Sequence, residues 1–285
     1  MKIQLKKALC PVKQNVMPTE LSPEYLLRFS GVGRLYGQQA LVSLSKAHFV
    51  VIGLGGVGTW AAEALARTGI GELTLIEMDD VCVTNTNRQI HALKSFIGKS
   101  KNHIISERFK EINPEIIIHS IEDFIDQNNM TSLIGNQHDV VIDAMDAAHI
   151  KARLVSYCSA LKIRLITVGS SGGKRNPQLI TVGDLGRTQS DPMLAKMRSQ
   201  LYRHFNFSRE KNRKFRVDAV YSTEQMTFSK PDGSVCMNKQ VMAEGVKLDC
   251  AGGFGSSVMV TGAFGFLAAS QAIERYLQKT LAVNS

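Results

Sequence analysis

The segment that most constrains this 285-residue chain is AHFVVIGLGGVGTWAAEALARTG, residues 47–69. An apolar run stops at glycines, and small and apolar residues follow at once at helical spacing. That order predicts a strand buried on both faces, a tight glycine turn and a helix over Val57 to Thr68, closed by Gly69 as its C-terminal cap. A strand that is apolar along its whole length needs cover above and below. In a soluble chain this means a parallel sheet wrapped by crossover helices.

The alternation continues downstream. ELTLIE (72–77) predicts a second strand, Lys99 to Ile112 a helix ended by Asn113-Pro114, EIIIHSIE (115–122) a strand and HDVVIDAMD (138–146) another buried strand. Residues 148–161 predict a helix, and RLITVGSSGG (164–173) a strand running into a glycine turn. Beyond residue 175 the pattern changes. QLITVGDL (178–185) predicts a strand, DPMLAKMRSQLYRHF (191–205) an N-capped basic helix and FRVDAVYST (215–223) an extended segment. The expected fold is α/β: a Rossmann-like, mostly parallel sheet with helices on both faces and a mixed or antiparallel C-terminal extension. Three parts are expected: an irregular basic lead-in (1–27), a Rossmann-like part (28–175) and a C-terminal part (176–285) of the same domain.

Composition narrows the setting. A 44% apolar content excludes a disordered chain, and five cysteines with no Cys-x-x-Cys pair exclude a disulfide framework and a paired-cysteine zinc site. No histidine stands in ligand-type spacing with another His or Cys, so His91 and His103 are assigned to no metal. Residues 8–25 lack the unbroken apolar core of a secretory signal, so a cytoplasmic protein is expected. Residues 252–277 approach the length of a membrane span, but glycines and hydroxyl residues dilute them. They predict a buried core helix, with membrane contact as the lesser reading.

Gly53, Gly55, Gly56 and Gly58 sit where backbone N–H groups and a helix N-terminus hold phosphate, and Glu77 stands where an acidic side chain meets a ribose hydroxyl. Alone, these residues suit a nicotinamide dehydrogenase. The stretch Glu77-Met-Asp79-Asp80-Val-Cys-Val-Thr-Asn85-Thr-Asn87-Arg88-Gln89, then Gly98-Lys-Ser-Lys101 and Asp146, instead resembles the ATP site of ubiquitin-activating-type (ThiF/MoeB-like) adenylating enzymes. The resemblance makes Glu77 the ribose contact, Asn85, Arg88 and Lys101 phosphate ligands, and Asp146 the ligand of Mg²⁺ on ATP, with Asp79 and Gln89 in the same site. Attack at a phosphate needs cations on the departing group and a carboxylate for the metal, and hydride transfer needs neither.

RFSGVGRLYG (28–37), VCVTNTNRQIHAL (81–93), DPMLAKMR (191–198), VYSTE (220–224) and DCAGGFGSSVMVTGAFGF (249–266) extend the likeness to the tRNA threonylcarbamoyladenosine dehydratase branch of that superfamily. The branch implies activation by ATP of the carboxylate of threonylcarbamoyladenosine beside the tRNA anticodon, then intramolecular closure with loss of water. Both AMP with pyrophosphate and ADP with phosphate stay open as products. In relatives an N-terminal arginine crosses a homodimer to the phosphates. Gly31 stands at that place here, which makes Arg34 the substitute. The missing Cys-x-x-Cys pairs argue against the other branch considered, the activators of sulfur-carrier proteins.

The chain carries 34 Lys+Arg against 25 Asp+Glu, net +9. Much of the excess lies in residues 196–216, where Lys196, Arg198, Arg203, Arg209, Lys211, Arg213, Lys214 and Arg216 face Glu210 alone. With Tyr202, Phe205, Phe207 and Phe215 interleaved, this segment is expected to bind tRNA phosphates and unstacked bases. Cys236 is either a small apolar residue or a persulfide acceptor for a cysteine-desulfurase partner, the first being favoured. Cys82 and Cys250 are expected to pack.

Overall fold

A computed structural model describes residues 21–210, 213–230, 232–237 and 254–282. The helices are α1 (Pro23–Tyr36), α2 (Gln38–Leu44), α3 (Gly58–Arg67), α4 (Lys101–Ile112), α5 (Met130–Leu133), α6 (Ala148–Leu161), α7 (Pro192–His204) and α8 (Val258–Ala282). The strands are β1 (His48–Ile52), β2 (Glu72–Ile76), β3 (Ile117–Ile121), β4 (Val140–Asp143), β5 (Arg164–Val168), β6 (Ile180–Asp184), β7 (Asp218–Ser222), β8 (Phe228–Ser229) and β9 (Val235–Cys236).

Seven strands form one sheet in the order β3-β2-β1-β4-β5-β7-β6. All pair in parallel except β6, which runs antiparallel to β7, while β8 and β9 make a separate antiparallel pair. The apolar run at 49–52 divides by alternation. Phe49 and Val51 enter the core under α3, α4 and α8, whereas Val50 and Ile52 enter the opposite core with α6 and α7.

The expected elements form with shorter strands. β3 keeps only 117–121 of the expected 115–122, and β4 stops at Asp143 rather than at residue 146. The expected lead-in also ends early. The Ser22 hydroxyl accepts from the Tyr25 N–H at 3.0 Å, Pro23 occupies the first turn, and Tyr25 and Phe29 are buried, so α1 starts inside it. Proline at that position initiates a helix instead of breaking one.

The apolar C-terminal stretch is a core helix. α8 packs along α3 through Val260, Phe264, Ala268 and Ala272, all buried, and no described helix is long and apolar enough to cross a membrane. Gly265 permits the contact: a Cβ there would lie 2.5 Å from the Val57 carbonyl oxygen and 2.7 Å from Trp60 Cβ. An Arg275 fork onto both Asp218 carboxylate oxygens, at 2.6 and 2.9 Å, ties α8 to β7.

Candidate active site

β1 and β4 are neighbours, yet the chain leaves them toward opposite sides of the sheet. This opens a crevice beyond their carboxyl ends, where ligands of such sheets bind. The glycine turn lines one wall. Gly53 adopts φ +87° and donates to the Ile76 carbonyl at 2.9 Å, and a Cβ on Gly58 would lie 1.8 Å from the Gly53 oxygen. Both positions therefore require glycine. The loop after β4 forms the facing wall, with the Ala144 oxygen 3.2 Å from the place a Gly53 Cβ would take.

Glu77 is buried at the end of the second strand's line. One oxygen accepts from the Leu54 N–H at 2.7 Å, and the other from Met78 and Asp79 at 3.0 and 2.9 Å. The carboxylate thus braces the turn itself. Arg88 lies over the turn: its Cγ and Cδ cross Gly56, and its Nη1 donates to the Thr84 carbonyl and the Asn87 side chain at 2.8 and 3.0 Å. The Trp60 indole donates to the Arg88 carbonyl at 2.9 Å, which pins that loop to α3. Asn85 spends its side-chain oxygen on the Cys82 N–H at 3.0 Å, shaping the loop from within.

Lys101 is the first residue of α4 and is nearly fully buried, an adverse place for a cation beside a helix N-terminus. Asp79 offsets it, with Oδ2 2.9 Å from Nζ and its own side chain 55% exposed. Behind this pair lies a buried relay. Gln89 Oε1 meets His91 Nε2 at 2.9 Å, and His91 Nδ1 meets the Thr59 hydroxyl at 3.2 Å. Burial, and secondarily Lys101, push the His91 pKa down to about 4. His91 is therefore neutral near pH 7.

Asp146 is exposed on the bend three residues past β4 rather than at the strand end. The strand-end carboxylate is Asp143, which the sequence reasoning missed. It is fully buried, 2.8 Å from Lys151 Nζ, and it accepts from the Thr167 hydroxyl at 2.7 Å. Lys151 also donates to the Asp143 and Met145 carbonyls, so a buried cation holds the loop that presents Asp146. The available signal was a lysine on the same apolar helix stripe as Ala148, Ala152 and Val155.

Arg34 is exposed in the last turn of α1, and its Nη2 lies 3.7 Å from where a Cβ on Gly31 would stand. It fills the space above the residue that it was expected to replace. It stands apart from the crevice residues, on a helix whose first half packs on Gly69, at the end of α3 remote from the glycine turn.

Of the basic segment, Lys211 lies outside the described residues, and Arg203, Lys214 and Arg216 are exposed. Arg209 stacks over the Tyr202 ring at 5.4 Å, and with Arg213 and Arg187 it borders a cavity of about 460 Å³. Arg198 instead turns inward to the Thr188 hydroxyl. The phenylalanines correct the expectation of free stacking platforms. Phe205, Phe207 and Phe215 are half-buried against the α6–α7 core: the Phe205 and Phe207 N–H groups donate to the Leu201 carbonyl at 3.2 and 3.3 Å, and Asp184 clamps the Phe215 and Arg216 N–H groups at 2.9 and 2.7 Å. Cys82 is also corrected: it is exposed, not packed, and hydrogen bonds led by the Thr84 hydroxyl hold its thiol below the ordinary value. Cys236 is half-buried in β9, and Cys250 lies outside the described residues.

The chain is 47% identical over 264 residues to the tRNA threonylcarbamoyladenosine dehydratase of Escherichia coli (strain K12), covering 92% of this chain and 98% of that protein. It is 47% identical over 259 residues to the dehydratase of Haemophilus influenzae, covering 90% and 95%. Crystal structures of the E. coli dehydratase with ATP and with AMP each match at TM-score 0.81 and 42% identity, over 92% of this chain and 98% of theirs. The model of the ThiF family matches residues 30–284. A match running from within α1 to past the end of α8 takes in the whole sheet, and the chain belongs to the ThiF family.

Proposed function

We propose that this protein uses ATP to dehydrate threonylcarbamoyladenosine in tRNA, closing the modification on itself beside the anticodon. One observation carries this function. A glycine turn roofed by Arg88 and flanked by Lys101 occurs in a chain that matches the E. coli dehydratase over 98% of that protein's length. The turn's N–H groups and the α3 N-terminus receive the phosphate chain of ATP. Glu77 holds the ribose: its two oxygens already serve the backbone, but a carboxylate has about four lone-pair sites. Arg88 and Lys101 stabilise the charge that develops on the departing pyrophosphate. Lys101 exchanges Asp79 for phosphate, which the exposure of Asp79 permits.

The substrate carboxylate attacks the α-phosphate, the bond to pyrophosphate breaks, and an acyl-adenylate forms. The neighbouring carbamoyl group then displaces AMP, and one water is lost overall. Holding both groups in one molecule makes the second step intramolecular, so no protein nucleophile is needed. Asp146, exposed on the bend beyond the end of β4, would hold Mg²⁺, which would neutralise phosphate charge. The reading extends to a cytoplasmic homodimer in which Arg34 of one protomer reaches the phosphates held by its partner. The basic rim at Arg203, Arg209, Arg213, Lys214 and Arg216, with Lys211, contacts the tRNA backbone, and Arg198 supports it from below.

The test is mass spectrometry of nucleosides from threonylcarbamoyladenosine-bearing tRNA incubated with the protein and Mg·ATP. The wild type is expected to convert the nucleoside to a product lighter by one water, with AMP released, and Asp146→Ala to leave it unchanged. ADP in place of AMP would move the attack to the γ-phosphate. No change in the nucleoside despite ATP binding would overturn the assignment.

A further inference from the structure

We propose a second, separate site toward the amino-terminal end of the sheet: a divalent transition-metal site formed by His48, Glu72 and His119, of the class that Zn²⁺ occupies. The three residues come from β1, β2 and β3. In the parallel register His48 pairs with Glu72, and His119 pairs with Thr74, two residues along from Glu72. All three side chains therefore share one face of the sheet. One ligand atom from each lies within 4.8 Å of the others, and the burial grades outward from half-buried His48 and Glu72 to exposed His119.

Glu72 Oε1 is 3.4 Å from His48 Nδ1 and 2.5 Å from His119 Nε2. A tetrahedral ion with bonds of about 2.1 Å needs ligand atoms about 3.4 Å apart. The first pair has that spacing already. The second reaches it by less than about 1 Å of movement in a side chain that is 48% exposed. His48 is oriented as ligands usually are: Nε2 lies 2.8 Å from the Thr74 hydroxyl, so with Nε2–H donating there, Nδ1 turns its lone pair toward the carboxylate. Asp139 adds negative charge nearby by accepting from the His48 N–H at 3.0 Å. His138 completes the wall, edge-on to the His48 ring, with its own Nδ1 accepting from the Gly135 N–H. Two imidazoles and one carboxylate select a borderline metal over Mg²⁺, which prefers oxygen ligands. The fourth position faces solvent. Such an ion would cross-link the amino ends of β1 and β2 to the middle of β3, remote from the crevice at the carboxyl ends.

The full-length protein titrated calorimetrically with ZnCl₂ in metal-free buffer is expected to bind one ion through this site, with a raised melting temperature and no competition from excess Mg²⁺. His119→Ala, at an exposed position, is expected to weaken that binding at least tenfold and to abolish the thermal shift. Equal Zn²⁺ binding by wild type and His119→Ala, or none by either, would overturn the proposal. A crystal soaked in Zn²⁺ tests it without a variant. Anomalous density among His48, Glu72 and His119 is expected, and density only elsewhere would refute the site.

Discussion

Gly56 lies directly beneath Arg88: a Cβ at position 56 would stand 3.1 Å from both Cγ and Cδ of the arginine. Gly56→Ala is expected to lift Arg88 off the turn while sparing the fold, because the obstructed atoms belong to a flexible stem. The KM for ATP should rise roughly tenfold, equivalent to about 1.4 kcal/mol, in steady-state assays. Gly58→Ala meets the Gly53 backbone instead, which cannot swing away, and is expected to abolish ATP binding by calorimetry.

Lys101 and Asp79 make a contact that serves chemistry more than stability. With Asp79 half-exposed, the pair contributes less than about 1 kcal/mol to folding. Lys101→Ala should therefore lower kcat/KM roughly 100-fold or more with a nearly unchanged melting temperature. Parallel kinetics and thermal unfolding separate the two effects.

Asp143 and Lys151 behave oppositely, since both are fully buried. Lys151→Met leaves a buried carboxylate unpaired and is expected to cost roughly 3–5 kcal/mol in urea unfolding. Adding Asp143→Asn should recover most of that loss, because the neutral amide no longer requires a counter-charge.

His91 supplies a pH dependence. Its folded pKa of about 4 lies below the ordinary 6.5, so the neutral form is the one the fold accepts. Stability from this residue is complete above about pH 6.5 and is lost as pH falls toward 4, by up to about 3 kcal/mol. Unfolding across that window, wild type against His91→Gln, checks it. The wild type should show the steeper fall.

Arg209 and Arg213 border one cavity on the basic rim. Replacing both with alanine is expected to reduce the salt dependence of tRNA binding by about two counterions while leaving ATP affinity unchanged. Filter binding across a range of KCl concentrations measures the slope.

The part of this protein readable from the sequence alone is the part governed by local rules. Val50 to Ile52 show an unbroken apolar run, Gly53 to Gly58 a turn whose first and last glycines leave no room for a side chain, and α3, α6 and α7 their periodicity and ends within a few residues. Backbone sterics and helix or strand period act over neighbouring residues, so they leave marks there. Which carboxylate would end β4 was not legible: Asp143 and Asp146 stand in the same short stretch, and only the packing of Lys151 and Thr167 buries the first and leaves the second exposed on the bend beyond it. The placement of Phe215 in the basic segment was likewise decided by Asp184, a residue about thirty positions earlier that clamps its N–H and that of Arg216. His48, Glu72 and His119 are the extreme case. Their spacing along the chain shows no ligand pattern, and they meet because hydrogen-bonded strands lie about 4.8 Å apart however many residues separate them in sequence.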